Sequence, residues 1–306
     1  MVDGLVPIPR REAPMDIREV SGRLVARAPA KLNLFLEVLS LRPDGYHEIV
    51  TIMQAITLCD EIAFERTDGA ISLATDSPDV PADETNLVWK AAEMLRSHAA
   101  SPYGARISLT KRIAVGAGMG GGSSDAAATL IALNRLWALN LQRAELHHLA
   151  ARLGSDVPFF LQGGTCLCRG RGEIVEPLSG VKPLTYVVVM PGFKVSTKEV
   201  YQNCRADLTS VHADYKLYVE KLRGRQLGDA PRFFNRLESV TTQLVPQLRV
   251  VSQAMNEVGL RDVTMTGSGS AFFAAADGRK EAKSAVAALS QLHIGQAVMA
   301  ETVPSA

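Results

Sequence analysis

The chain reads as an α+β protein of two domains, and three observations carry that reading. Long alternating strands with helices set among them fill the first 176 residues. A turn-rich break follows at Glu176-Pro177-Leu-Ser-Gly180, and a fresh buried-strand run, Tyr186-Val-Val-Val-Met190, opens the remainder. With 306 residues and 47% hydrophobic content, each half can bury its own core. The expected units are a loose extension over residues 1–22, a first domain over 23–176 and a second over 177–306.

The extension is assigned because Pro7, Pro9, Arg10, Arg11 and Pro14 interrupt it and no apolar signal-peptide segment is present. Arg23 to Ser40 and Ile49 to Arg66 are the longest strand candidates. In the first of them alternation puts Lys31 and Asn33 on one face and Leu32, Leu34 and Leu36 on the other. Asp83 or Thr85 can cap a helix over Leu87 to Ser97, whose Leu87, Ala91 and Leu95 repeat every four residues. Arg106 to Val115 alternates Ile107, Leu109, Ile113 and Val115 with polar residues, the period of a half-buried strand, and Lys111 interrupts its apolar face. Ala126 to Leu139 has helical spacing, as does Arg143 to Leu153, with Gly154 as a stop. In the second domain, a polar stretch from Asp207 to Arg232 contains helical pieces. A helix over Val245 to Val258, a strand-loop-strand over Val263 to Ala276 and a helix from Lys280 to Leu292 complete the chain.

The most informative stretch lies between the third strand and its helix: Gly116-Ala-Gly-Met-Gly-Gly-Gly-Ser-Ser-Asp125. Glycines permit positive φ and let a ligand approach the backbone, while a helix start offers unpaired N–H groups and a partial positive charge. Such a loop suits anionic oxygens. Gly116-x-Gly118-x-x-Gly121 also satisfies the dinucleotide fingerprint, but no second strand ending in an acidic residue follows at the required distance. No Gly-Lys-Ser/Thr follows the glycines, and no His-Arg-Asp or Asp-Phe-Gly supports a protein kinase.

Three further segments bear chemistry. Lys31 and Asn33 place a cation and an amide together; Asp156 sits between Gly154 and Pro158 and, taken alone, reads as a cap or turn residue. Met265-Thr-Gly-Ser-Gly-Ser-Ala271 is a second glycine and hydroxyl loop, taken alone a hairpin turn. A formal net charge of +1 supplies no basic field for nucleic acid. No apolar run approaches the roughly 18 residues of a membrane span. Cys59, Cys166, Cys168 and Cys204 match neither a zinc spacing nor a disulfide framework, which fits buried thiols in a reducing cytoplasm.

Taken together, Pro29-Ala-Lys31-Leu-Asn33, the Gly116 to Ser124 loop and Gly267-Ser-Gly269 resemble the three signature motifs of the GHMP kinase superfamily, in order, and the resemblance runs from about residue 23 to the end. Arg42-Pro-Asp-Gly-Tyr-His-Glu48, together with residues 151–159, is similar to the branch acting on a cytidine diphosphate conjugate of methylerythritol. The resemblance implies an amino-terminal domain of the ribosomal protein S5 domain 2 type, a ferredoxin-like carboxy-terminal domain, and transfer of the ATP γ-phosphoryl group to the methylerythritol 2-hydroxyl in the non-mevalonate isoprenoid pathway. It further implies that Asp156 is the general base, with Lys31 beside it keeping it ionised and stabilising the transferred group. Gly116, Gly118, Gly120, Gly121, Gly122, Ser123 and Ser124 would hold the ATP phosphates, with Asn86 and Lys111 lining the adenine pocket. Tyr46 would stack on cytosine, His47 would bond its edge, and Asn33, Thr197, Gly267 and Gly269 would contact substrate. Tyr201 falls where the family often has a second aromatic; the alternative is an ordinary half-buried tyrosine. Mg²⁺ is expected mostly on phosphate oxygens and water, with no protein ligand assigned to it. The implied protein is cytoplasmic, a monomer or weak homodimer, acting on cytidine diphosphate methylerythritol without nucleic-acid or membrane partners. Another GHMP kinase with a different alcohol, or a non-catalytic nucleotide binder, are the competing readings.

Overall fold

A computed structural model of the chain describes residues 15–204, 213–224 and 233–304. The proline-containing part of the expected extension, residues 1–14, and most of the polar stretch 207–232 lie outside the described residues.

Two sheets form the frame. The first is built on β1 (Asp16–Val20), β2 (Arg23–Leu41) and β3 (His47–Thr67), followed by β4 (Ser72–Thr75), α1 (Leu87–His98), β5 (Gly104–Thr110), α2 (Gly121–Leu136), α3 (Arg143–Leu153), α4 (Val157–Gln162), β6 (Thr165–Gly170) and β7 (Ile174–Pro177). Its path is β1-β2-β3-β5-β4, with β6 on β3 and β7 on β6. The 21-residue β3 pairs with β5 through its carboxy-terminal part and with β6 through its amino-terminal part. Helices α1 to α4 cover this sheet over a core that includes Phe64, Leu95, Leu130 and Phe159. The second half contributes β8 (Thr185–Met190), α5 (Thr197–Asn203), α6 (Tyr215–Leu222), β9 (Phe234–Asn235), α7 (Leu237–Leu244), α8 (Arg249–Glu257), β10 (Thr264–Met265), β11 (Phe272–Ala276), α9 (Arg279–Gln291) and β12 (Gln296–Glu301). The antiparallel sheet β10-β11-β8-β12 carries α8 and α9 over Val187, Phe272 and Leu289. A third apolar cluster, containing Leu32, Phe35, Tyr186 and Phe273, lies between the two sheets.

Several expected bounds shift for identifiable reasons. Residues 16–20 are not loose: they pair with Arg23–Arg27 as a hairpin strand, and Met15 is buried. The strand expected to reach Val115 stops at Thr110, because Asp76 accepts from the Lys111 amide at 2.9 Å and Asp60 accepts from those of Arg112 and Ile113 at 2.6 and 2.9 Å. The following helix starts at Gly121 rather than Ala126. It ends before Ala138 and Asn140, both at positive φ. Asn86, not Asp83 or Thr85, caps α1 by accepting from the Val88 amide at 2.8 Å. The helix expected over 245–258 is present over 246–257: Pro246 opens a single 3₁₀ turn that runs directly into α8. Along β2, a register shift between Asn33 and Phe35 upsets strict alternation, so Leu36 joins Lys31 and Asn33 on the cavity side.

Candidate active site

A cavity of about 920 Å³ opens between the two halves and gathers nearly every residue singled out from sequence. At one end stands the start of α2. Its first helical bond runs from the Ser124 amide to the Gly120 carbonyl at 2.9 Å, so the amides of Gly121, Gly122 and Ser123 precede the helical ladder. Gly116, Gly118, Gly120, Gly121, Gly122 and Ser123 line the cavity beside them. Ser124 does not: its hydroxyl is buried under the helix without a hydrogen-bond partner among the described residues, and its amide is used by Gly120. It therefore departs from the expected phosphate-donor role.

The glycine loop is held by the late loop of the other half. Lys31 N donates to Met119 O at 3.0 Å, and Ala271 N donates to Ala117 O at 3.1 Å. Gly118 has φ +76°, and a Cβ there would lie 2.2 Å from the Thr266 carbonyl oxygen; one on Gly267, at φ +57°, would lie 2.8 Å from the Gly118 carbonyl oxygen and 3.1 Å from Lys31 Nζ. Glycine at these two positions is thus what lets the loops meet over the lysine. Gly267 faces the cavity, whereas Gly269 packs against Met265 and Thr241 behind it and has no contact with the space a substrate would enter.

Lys31 sits at the centre, only 3% exposed. Its ammonium donates to Asn33 Oδ1 and, at 2.6 Å, to Gly118 O, and lies 3.9 Å from Asp156 Oδ2. Burial lowers the lysine below its ordinary range, while Asp156 opposes that shift. Asp156 occupies the N-cap position of α4 but makes no side-chain capping bond, so its carboxylate is available to the cavity. Asn33 donates to Thr51 Oγ1 at 2.8 Å and accepts from Lys31, so its amide orients the lysine at the cavity wall.

Two residues expected at an adenine pocket are also committed internally. The Asn86 side chain caps α1 and donates to Pro81 O at 2.7 Å. The Lys111 ammonium sits between Asp60, at 2.5 Å, and Asp125, at 2.8 Å. Both residues line the cavity, with Asp79, Val80 and Pro81 nearby. Across this end Lys194 Nζ reaches Asp79 Oδ1 at 2.5 Å, with its side chain running past Gly116.

The opposite end is aromatic. Tyr46 follows a turn in which Asp44 accepts from its amide at 3.1 Å and Arg42 braces Asp44 and Glu48. The Arg171 guanidinium stacks 4.7 Å from the Tyr46 ring centroid. His47 and Tyr201 lie 5.3 Å apart between ring centroids, tilted by 37°. Burial lowers His47, which favours a neutral imidazole, and raises the Tyr201 hydroxyl. Thr197 Oγ1 shares a 2.8 Å hydrogen bond with Ser268 Oγ at the cavity wall.

Arg171, Ser268, Asp60 and Asp125 are additions that sequence reasoning misses. Arg171 carried a weak signal, a cation between Gly170 and Gly172 in a β-turn; the others acquire meaning only through long-range contacts. Among the described residues no group of three His, Cys, Asp or Glu side chains could hold a metal ion, and no helix is long and apolar enough to cross a membrane.

Comparison with known proteins bears on this geometry. Residues 86–164 match the GHMP kinases N terminal domain, and residues 218–294 match the GHMP kinases C terminal domain. The 4-diphosphocytidyl-2-C-methyl-D-erythritol kinase of Pelotomaculum thermopropionicum is 45% identical over 82% of this chain and 88% of its own length. That of Carboxydothermus hydrogenoformans is 41% identical over 84% and 89%. A crystal structure of 4-(cytidine 5'-diphospho)-2C-methyl-D-erythritol kinase superposes with a TM-score of 0.78 at 38% identity, covering 91% of this chain and 98% of the other. Homoserine kinase from Cytophaga hutchinsonii, 18% identical with a TM-score of 0.67 over 94% and 96%, shares the fold.

Proposed function

The chain belongs to the 4-diphosphocytidyl-2-C-methyl-D-erythritol kinase family of the GHMP kinases, and from that premise we propose that it transfers the γ-phosphoryl group of ATP to the 2-hydroxyl of 4-diphosphocytidyl-2-C-methyl-D-erythritol, a step of the non-mevalonate isoprenoid pathway. The observation that carries this reading at the level of the site is one cavity with a phosphate-type helix start at one end, a Lys31–Asp156 pair in the middle and the Tyr46, His47 and Tyr201 rings at the other.

Phosphoryl transfer runs through a loose transition state, so the protein contributes positioning and charge stabilisation. The amides of Gly121, Gly122 and Ser123 supply donors and helix-end polarity to the phosphates. Asp156 accepts the proton of the acceptor hydroxyl. Lys31, pinned by Asn33 and the Gly118 carbonyl, meets the negative charge that develops on the transferred group. Mg²⁺, when bound with the nucleotide, would supply charge neutralisation for its phosphates. The amides of Gly121, Gly122 and Ser123 and the Ser123 hydroxyl beside the cavity suit an ion that arrives on the nucleotide and keeps its waters. Tyr46 offers a stacking face and His47 an edge for cytosine, and the cytoplasm is the compartment that fits four free thiols.

A coupled ADP-release assay tests the reading. The expected result is turnover with the cytidine conjugate and far less with its uridine analogue, homoserine or mevalonate. In Asp156→Ala, kcat should fall by about 10²- to 10⁴-fold with ATP affinity nearly intact. Turnover that prefers another alcohol, or an alanine variant with full kcat, overturns it.

A further inference from the structure

Beneath the glycine loop lies a buried charge cluster that the phosphoryl-transfer machinery above does not use. Lys111 Nζ is shared by Asp60, fully buried on β3, and Asp125, the fifth residue of α2. The two carboxylates differ. Asp60 Oδ1 accepts from the amides of Arg112 and Ile113, and its Oδ2 accepts from Lys111, so its charge is fully met. Asp125 accepts from Lys111 through Oδ2 alone, and its Oδ1 is buried without a partner among the described residues. One ammonium between two ionised carboxylates leaves a net negative charge, and Asp125 and Lys111 both line the cavity beside the start of α2.

The remaining charges around α2 are engaged elsewhere. On α1, Lys90 is exposed and Glu93 pairs with Arg96 at 2.7 Å; on β2, Lys31 faces Asp156 and Glu37 faces Arg236; on α3, Arg143 bonds Leu161 O and Gln162; α4 carries no charged residue. Lys111 and Asp60 are the charged groups acting on Asp125.

We propose that Asp125 is a positioning residue for the nucleotide: its free oxygen takes up a proton from solvent as the phosphates bind, leaving Lys111 and Asp60 as a neutral pair beneath them. The balance is one proton gained by the protein and none transferred to the nucleotide. Burial, with the neighbouring Asp60 carboxylate adding to it, raises Asp125 to about 7 despite Lys111, so an approaching polyanion acts on a group already near its midpoint. The sign follows by linkage. The protonated form binds the anion better, so affinity is greatest below the free-state midpoint and falls as pH rises through it. This inference rests on the assignment of phosphates to the start of α2.

Calorimetry of ADP binding with Mg²⁺, in buffers of different ionisation enthalpy at about pH 8, counts the protons directly. Wild type should take up a substantial fraction of a proton, and its dissociation constant should rise roughly fivefold between about pH 6.5 and 8.5 if binding shifts the group by about one unit. Asp125→Asn should lose both the uptake and that slope while still binding ADP. On wild type alone, the infrared difference spectrum on adding ADP should gain the carbonyl stretch of a protonated carboxylic acid, which keeps the test sound if the variant fails to fold. Equal proton uptake in both proteins, or no such band, overturns the proposal and leaves the phosphate assignment standing. Failure of wild type to bind ADP overturns both.

Discussion

Tyr46 is half exposed and carries a guanidinium over one ring face, which leaves the other face for a base. Base stacking on an aromatic is worth about 1–3 kcal/mol, so Tyr46→Ala should weaken the cytidine substrate by roughly 5- to 150-fold. A cation–π contact at an exposed site is worth about 0.5–1 kcal/mol, so Arg171→Ala should weaken it only about two- to fivefold. ADP affinity should be unchanged in both; titration of each variant with both ligands checks the ordering, and an arginine effect larger than the tyrosine effect contradicts it. At this scale, the sequence made Lys31, Asp156, Tyr46 and His47 legible as residues of one cavity because each lies in a short motif. Asn33, Asn86 and Lys111 were legible as cavity residues, while their internal partners Thr51, Pro81 and Asp60 were not, since these meet them only after folding. Ser124 shows the same limit. Helical spacing turns one serine of an adjacent pair inward, and which one depends on where the helix begins.

Among elements, the contact of the two glycine loops decides whether Lys31 is aimed. Gly118→Ala puts a methyl group on the Thr266 carbonyl at a positive-φ position and should destabilise the fold by about 1–3 kcal/mol, with loss of nucleotide binding. Gly122→Ala is its contrast. Gly122 is already helical, and its Cβ would meet only Leu87 at 3.6 Å, so stability should stay within about 0.5 kcal/mol of wild type. Urea unfolding of both variants makes the comparison; equal losses would remove the loop contact as the cause. Element types followed from hydrophobic period, as β2, β3 and α3 show. The misses fell where side chains captured backbone amides, as Asp60 does beyond β5.

For the whole molecule, the chain passes from one sheet to the other near residue 176, with β7 in the first and β8 in the second. What the sequence hid is that the second half returns. β9 pairs in parallel with β2, Val303 N donates to Ala55 O at 2.9 Å, and Phe35 packs against Tyr218 and Phe234. The halves share a core, so they should unfold together. Trp89 and Trp137 both lie in the first half, whereas far-ultraviolet dichroism reports both; the two denaturation curves should coincide, and separate midpoints would mean independent domains. The contact between Lys194 and Asp79 is of another order, since both side chains are more than half exposed. An exposed ion pair contributes about 0–1 kcal/mol, comparable with thermal energy, and salt screens it over about 8–10 Å. A tie of that strength opens readily without any rearrangement of either sheet. The end of the cavity proposed for the nucleotide is therefore a doorway whose traffic the surrounding electrolyte should adjust, while the buried Lys31 and its partners stay beyond its reach.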